Sequence, residues 1–345
     1  MEKFGYRFSF GPWNIQPGAD PFGPEVRPTR TFEEKLSVYK ELGFDAVQFH
    51  DDDAVPNLNE LTPEQIRKKA REVHARISDL GLVAEFVAPR LWEDPRTIDG
   101  AFTANDPQAR AYALDRAKRA VDIANELETD LMVLWLAREG TYLREAKDPV
   151  WATRQLLAAL NTLLDYDPRL RIVIEPKPNE PMDVAYIPTI GHALALGMQS
   201  KAPERVGVLM ETAHVVLANL DPADDLGFAL AFDKLWSVHL NDQNGPKYDQ
   251  DRAFGAVNLR RAFNQVRVLD QHRYWEKGMV GLDVKALRTQ PAELATRHLR
   301  NSLHLFLKLV ELSRSLDQAQ VDALIAARDY EELDWLILTH LMGEK

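Results

Sequence analysis

The residues best placed to do chemistry gather in one stretch, Lys234 to Asp251, which reads K-L-W-S-V-H-L-N-D-Q-N-G-P-K-Y-D-Q-D. Its first part, 235–240, is a short apolar run of β-type residues that breaks into Asn, Asp, Gly and Pro, the pattern of a buried strand running into a loop. His239 stands at the break, with Asp249 and Asp251 ten and twelve residues on. One imidazole and two carboxylates are thus delivered to the mouth of a strand, and D-x-D in a glycine-containing loop commonly presents hard oxygen donors to a divalent cation. Taken alone, the same spacing describes a solvated acidic turn. The choice turns on how the other strands end.

Apolar β-type runs recur at 7–13, 46–49, 82–87, 131–136, 171–174, 206–210, 235–240 and, more weakly, 278–282. Between them lie segments with helical spacing of apolar residues, such as 32–42, 63–80, 107–127, 151–164 and 259–269. Thr62-Pro63 and Asp106-Pro107 are N-cap plus first-turn proline starts. Eight strands separated by helices imply parallel crossovers, and a closed (β/α)₈ TIM barrel accommodates them; an open doubly wound sheet is the alternative. No G-x-G-x-x-G follows the first run, so dinucleotide binding has little support. After about residue 290 the pattern turns purely helical, at 292–313, 318–328 and 330–342. The expected organisation is a barrel over 1–290 and a helical extension over 291–345, its apolar faces covered either by its own barrel or by a neighbouring subunit.

The totals exclude several classes. A chain of 345 residues with 45% hydrophobic and 28% charged residues can bury a large core, and no apolar run is long enough to span a bilayer. Having no cysteine, it can form no disulfide, thiolate metal site or thiol nucleophile, so any metal is held by oxygen and imidazole. A net charge of −11 without basic clusters disfavours nucleic acid or anionic lipid as partner. The first residues, M-E-K-F-G-Y-R, carry no apolar signal core, and cytoplasmic residence is expected.

In a barrel of this kind chemistry sits where strands end, at the C-terminal face. The second strand ends in F-H-D-D-D with His50 and Asp53, the fourth near Trp135, and the fifth in E-P-K, where Glu175 and Lys177 point to the same side. The sixth ends in Glu211 followed by His214, the seventh in His239 and the eighth in Asp283. Each has a bland reading alone, as a salt-bridge partner or helix-start histidine. Together Glu175, Glu211, Asp249, Asp251 and Asp283 set five negative charges in one mouth against Lys177. Each unscreened pair at 4 Å repels by roughly 4 kcal/mol at an effective dielectric of 20. Two divalent cations plus Lys177 would relieve that repulsion. Trp13, Trp92 and Trp135 are either ordinary core or flat walls of the kind that stack on sugar rings and exclude water.

The segments F-H-D-D-D (49–53), F-T-A-N-D (102–106), E-P-K-P-N-E-P (175–181), E-T-A-H (211–214) and K-Y-D-Q-D (247–251) together resemble the D-xylose isomerase family, also called glucose isomerase, over most of the barrel. The shorter D-P-F-G (20–23) and R-E-G (138–140) fall in register. The resemblance implies a metal-dependent aldose–ketose isomerase that opens a sugar ring and moves a hydride between C1 and C2. By the same resemblance His50, oriented by Asp53, assists ring opening and Lys177 donates to the sugar O1. One divalent ion is held by Glu175, Glu211 and Asp283, the other by Glu211, His214, Asp249 and Asp251, the ions being Mg²⁺, Mn²⁺ or Co²⁺. Trp13, Trp92 and Trp135 wall the substrate. Phe22 matches a family residue that reaches the neighbouring subunit's site, which implies a homodimer or homotetramer.

Two departures qualify this. His239 stands where the family has an aspartate as fourth ligand of the first metal; imidazole is a softer donor and favours Mn²⁺ or Co²⁺ over Mg²⁺. A histidine there also resembles the rhamnose isomerases and ketose 3-epimerases, so another sugar, or sugar binding without turnover, stands as the alternative. In V-A-P-R-L-W (87–92) a family hydroxyl is missing, and Arg90 is expected to pair at the surface rather than reach substrate. A metal-dependent endonuclease on the same barrel is disfavoured by charge and leaves His50, Asp53 and Lys177 without a task.

Overall fold

Each of the eight apolar runs forms a strand. In the computed structural model, which describes residues 2–246 and 248–343, these are β1 (Phe8–Phe10), β2 (Ala46–His50), β3 (Val83–Ala88), β4 (Leu131–Trp135), β5 (Arg171–Glu175), β6 (Val206–Glu211), β7 (Leu235–Leu240) and β8 (Val280–Leu282). They pair in parallel in chain order, and Phe8 to Phe10 of β1 align with Val280 to Leu282 of β8, which closes the sheet. The fold is therefore a (β/α)₈ TIM barrel, and the open-sheet alternative falls.

Eight helices follow the strands: α1 (Phe32–Leu42), α2 (Pro63–Asp79), α3 (Pro107–Glu126), α4 (Pro149–Tyr166), α5 (Ile190–Met198), α6 (Pro222–Ala231), α7 (Leu259–Gln271) and α8 (Arg297–Ser315). Their starts are chemical. The Thr31 and Thr62 hydroxyls accept from the backbone of Glu34 and Gln65, whose side chains return the bond in a capping box. Asp106, Asp148 and Asp221 each cap a helix that opens on proline. Helices α5 and α6 lie outside the segments read from periodicity. Ile190–Met198 contains no Asp, Glu, Lys or Arg, so no polar face outlines its period. A two-stranded antiparallel patch, Gly140–Thr141 with Val184–Ala185, ties together the loops after β4 and β5.

The interior of the barrel holds a small cluster, Phe86, Ala88, Leu131, Val133, Val173 and Leu209. The larger core lies between strands and helices, and α8 contributes Leu299, Leu303, Phe306, Leu307 and Val310 to it. Phe306 stands edge-on to Tyr6 and Phe8, and truncating a ring so buried costs about 3–5 kcal/mol. Beyond α8, α9 (Gln318–Ala327) buries Val321 and α10 (Tyr330–Met342) buries Ile337, while Tyr330, Trp335 and Met342 remain exposed. Among the described residues no helix is long and apolar enough to cross a membrane.

Candidate metal centre

At the rim where the strands end lies a cavity of about 750 Å³. All the site residues singled out from the sequence line it except Asp53, which stands directly behind His50. Strand register does much of the positioning: Trp135 lies opposite Glu175, and Glu211 opposite His239, which in turn faces Gly281. Glu211 ends β6 and the short helix Thr212–Leu217 begins at once, so His214 falls on the same side, its Nε2 3.2 Å from Glu211 Oε1.

The loop carrying Asp249 and Asp251 is closed by reciprocal backbone bonds between Asp242 and Arg252. Within it, Gln243 Nε2 donates to the carbonyls of Gly245 and Tyr248, and Gln243 Oε1 accepts from Gln250 N. Asp251 adopts φ +45°, a left-handed conformation that costs a non-glycine residue roughly 1–3 kcal/mol. Lys247, part of the K-Y-D-Q-D segment, lies outside the described residues.

Three groups of donor atoms each fall within 4.8 Å of one another: Glu175, Glu211 and His214; Glu211, His239 and Asp283; and Glu211, Asp249 and Asp251. Glu211 belongs to all of them. Three atoms in this set, Glu211 Oε2, His214 Nδ1 and Asp249 Oδ1, are buried without a hydrogen-bond partner. Buried polar atoms are seldom left so, and carboxylate and imidazole donors converging here suit a divalent cation. The residues present therefore fit the metals that the sequence implies.

Two supporting residues escaped the sequence reading. Asn241 Nδ2 donates to Glu211 Oε1, Asp251 Oδ1 and the Asp283 carbonyl, while its oxygen accepts from Ala213 N at 2.8 Å. Lys285 pairs with Asp251, so Lys177 is not alone in offsetting the acids. Glu180 also enters, 3.6 Å from Lys177 Nζ, and its Oε2 accepts from Asp249 N. With Glu93 and Arg90 at its rim, the mouth thus holds seven carboxylates against two lysines and one arginine, a deficit of four charges that two divalent ions would cancel. The tryptophans do more than wall the cavity: Trp13 Nε1 donates to Asp283 Oδ1 at 2.9 Å, and Trp135 carries Lys177 Nζ 5.4 Å above its ring.

Electrostatics in the metal-free chain are divided. Burial pushes the carboxyls of Glu211, Asp251 and Asp283 above the usual range, Asp249 adding repulsion on Asp251 and Glu211 on Asp283. For Glu175 and Asp249 burial acts the same way but is outweighed, by His239 and by Lys177 respectively, and both are held low. Burial disfavours the charged forms of His214 and His239, yet Glu211 and Glu175 overcome it and raise both. Without metal the centre takes up protons.

A second arrangement sits across the cavity. His50 Nδ1 lies 3.0 Å from Asp53 Oδ2, with its ring 4.1 Å from that of Trp13 and 5.1 Å from that of Trp92. Arg90 is not at the surface as expected. Its guanidinium, 17% exposed, bonds Asp52 at 2.8 Å and Glu93 at 3.0 Å, and its Nη2 is 2.7 Å from His50 Nδ1. The pull comes from Asp51 and Asp52: Asp51 accepts from Arg90 N, and both carboxylates bind Arg116, which draws the 88–92 segment onto the end of β2.

Phe22 stands at the cavity rim, 76% exposed, its ring 5.2 Å from Tyr248.

Residues 36–302 match the model of the xylose isomerase-like TIM barrel family. Xylose isomerase from Thermus thermophilus is 35% identical over 333 residues, covering 93% of this chain and 84% of that protein. Among solved structures, D-psicose 3-epimerase from Clostridium cellulolyticum superposes with TM-score 0.63 at 11% identity, covering 88% of this chain and 98% of that one. A xylose isomerase domain protein from Alicyclobacillus acidocaldarius gives TM-score 0.62 at 16% identity, covering 90% and 99%. For 3-keto-D-glucoside 4-epimerase from E. coli the values are 0.61 and 17%, covering 88% and 99%. At these identities the structural likenesses speak to the fold.

Proposed function

This chain belongs to the xylose isomerase-like TIM barrel family, and on that premise we propose that it is a sugar isomerase interconverting an aldose and its ketose, of the D-xylose to D-xylulose and D-glucose to D-fructose type. The observation that carries this reading is the pairing, in one cavity, of an imidazole–carboxylate couple, His50 and Asp53, with a buried lysine and a carboxylate–imidazole donor set. A ring to be opened needs a proton moved at its oxygen, and His50 offers the nitrogen not turned to Asp53. Lys177, held by Asp249 at 3.0 Å, presents an ammonium where negative charge would develop on O1. Glu175, Glu211, Asp283 and His239 would hold one divalent ion, and Glu211, His214, Asp249 and Asp251 the other. When bound, such ions supply Lewis acidity and a template for adjacent sugar oxygens. Trp13, Trp92 and Trp135 keep water from the carbons between which hydrogen passes. Assembly into a homodimer or homotetramer, in which Phe22 would reach a neighbour's cavity, rests on the family resemblance; in the single chain Phe22 stands exposed at the rim of its own cavity.

The test is a panel of aldoses assayed with chelated protein and after adding Mg²⁺, Mn²⁺ or Co²⁺, run in heavy water. Activity restored by Mn²⁺ or Co²⁺, with product free of solvent deuterium, is the expected result. Full turnover in metal-free protein would overturn the proposal. Turnover of a ketose assayed in the same way, with deuterium in its product, would favour a second reading, a ketose epimerase working by proton exchange, which the imidazole of His239 in the donor set supports. Sugar binding by calorimetry without product from any aldose or ketose would mark a non-catalytic relative.

A further inference from the structure

The inside of a TIM barrel is ordinarily filled by branched apolar side chains, yet beneath the metal centre this barrel buries Ser9, Gln48, Glu85 and Ser237. They form one connected set. Glu85 accepts from Ser9 Oγ, from Gln48 Nε2 at 3.0 Å and from Ser237 Oγ at 2.9 Å. The second hydrogen of the Gln48 amide goes to Ser9 Oγ at 3.1 Å. With both amide hydrogens used, Gln48 Oε1 faces upward and lies 3.2 Å from His239 Nε2. An amide oxygen only accepts, so Nε2 carries the hydrogen. In the neutral ring the lone pair is then on Nδ1, which lies 3.2 Å from Glu175 Oε1 and 3.4 Å from Glu211 Oε2. The three atoms share one positive partner, a proton in the metal-free chain and a cation when one is bound.

We infer that Glu85 and Gln48 form a buried relay that fixes the tautomer and aim of the His239 imidazole, so that Nδ1 is presented to a cation between Glu175 and Glu211. The inference rests on the proposed metal centre and deepens it: Gln48 is a positioning residue that acts through His239. Oriented ligands bind more tightly because their hydrogen-bond partners hold the donor nitrogen in place beforehand. Two details favour the assignment. Gly281 faces His239 in register, and a Cβ there would fall on the Gln48 amide nitrogen as well as on the Val238 carbonyl, so glycine leaves both strand pairing and the contact their room. An aspartate at 239, lacking a ring hydrogen, could not donate to Gln48 Oε1; the relay and the histidine make sense only together.

The experiment is calorimetric titration of Mn²⁺ into chelated protein for the parent chain, Gln48→Met, His239→Ala and the double variant, with unfolding of each metal-free protein as a folding check. Gln48→Met is expected to weaken Mn²⁺ binding about 10- to 100-fold, to weaken Mg²⁺ less, and to add nothing in the His239→Ala background. Unchanged affinity in Gln48→Met beside a weakened His239→Ala would overturn the positioning role while leaving the metal centre standing. A full Gln48→Met effect in the absence of His239 would overturn it as well, because the effect would then be general. Unchanged affinity in His239→Ala would remove His239 from the metal centre and the relay's purpose with it. Should Gln48→Met fail to fold, Gln48→Asn, which keeps an amide on the Glu85 side and withdraws its oxygen from His239 Nε2, is read against the same outcomes.

Discussion

Replacing Lys177 by methionine separates what the lysine does for the fold from what it does for chemistry. Lys177 Nζ lies 3.0 Å from Asp249 Oδ2 and both groups are largely buried. Their gross attraction is roughly 5.5 kcal/mol at an effective dielectric of 20. Deleting one partner of a buried pair leaves the other uncompensated, at about 3–5 kcal/mol. For a chain of 345 residues that lowers the melting temperature of metal-free protein by about 4–7 °C.

The pH window follows from the two shifts. Asp249 is depressed, so its contribution is present above the unfolded carboxylate value, about 3.9, and is lost as pH falls through its lower folded value. Lys177 is raised, so its contribution is present below about 10.4 and is lost as pH rises through its higher folded value. The deficit of the variant is accordingly full between these limits. Saturating Mn²⁺ gives Asp249 a new partner, so the gap in melting temperature between variant and parent narrows. Turnover moves the other way, falling about 10²- to 10³-fold with metal present because a donor to developing charge is gone. Paired scanning calorimetry with and without Mn²⁺, set beside initial rates, measures all three. An unshifted metal-free melt refutes the ion pair's weight. A gap that widens with Mn²⁺ refutes the claim that Asp249 receives the ion.

Mn²⁺ binding is expected to release protons, because Glu211, Asp251, Asp283, His214 and His239 all hold protons more tightly than usual in the metal-free chain; titrations in buffers of different ionisation enthalpy will show it, and affinity rises with pH. His239→Asp replaces an imidazole by a harder donor and is expected to lower the ratio of Mn²⁺ to Mg²⁺ affinity by about tenfold or more, read from competitive titration. Arg116→Met strands Asp51, whose side chain is fully buried, and is expected to destabilise the chain by about 3–5 kcal/mol in urea unfolding.

Much of the barrel was legible because its signals are local. Each strand is a short apolar run, and each interruption by His, Glu or Asp marks where backbone meets cavity. Glu175 with Lys177, and Glu211 with His214, are legible for the same reason, since spacing along one element dictates a shared side. What stayed hidden depends on pairs far apart in sequence. Gln48 meets His239 across 191 positions and Glu85 meets Ser237 across 152. A lone glutamine or serine inside an apolar run carries no sign of its partner. Arg90 was misplaced for a related reason: its direction is set by Asp51, Asp52 and Arg116, and the last of these belongs to α3. Lys285 and Asn241 stand two residues from ones already singled out, but only the folding of the loop after β7 against the end of β8 brings them onto Asp251.

That one carboxylate, Glu211, serves every donor cluster has a consequence for how the centre fills. The first equivalent of metal draws on a side chain the second must also use, so the two equilibria are linked, and each ion alters the other's affinity by the same factor. A saturation curve would show unequal steps rather than two superimposed hyperbolas. A chelating inhibitor that captured either ion would thereby weaken the hold on its neighbour.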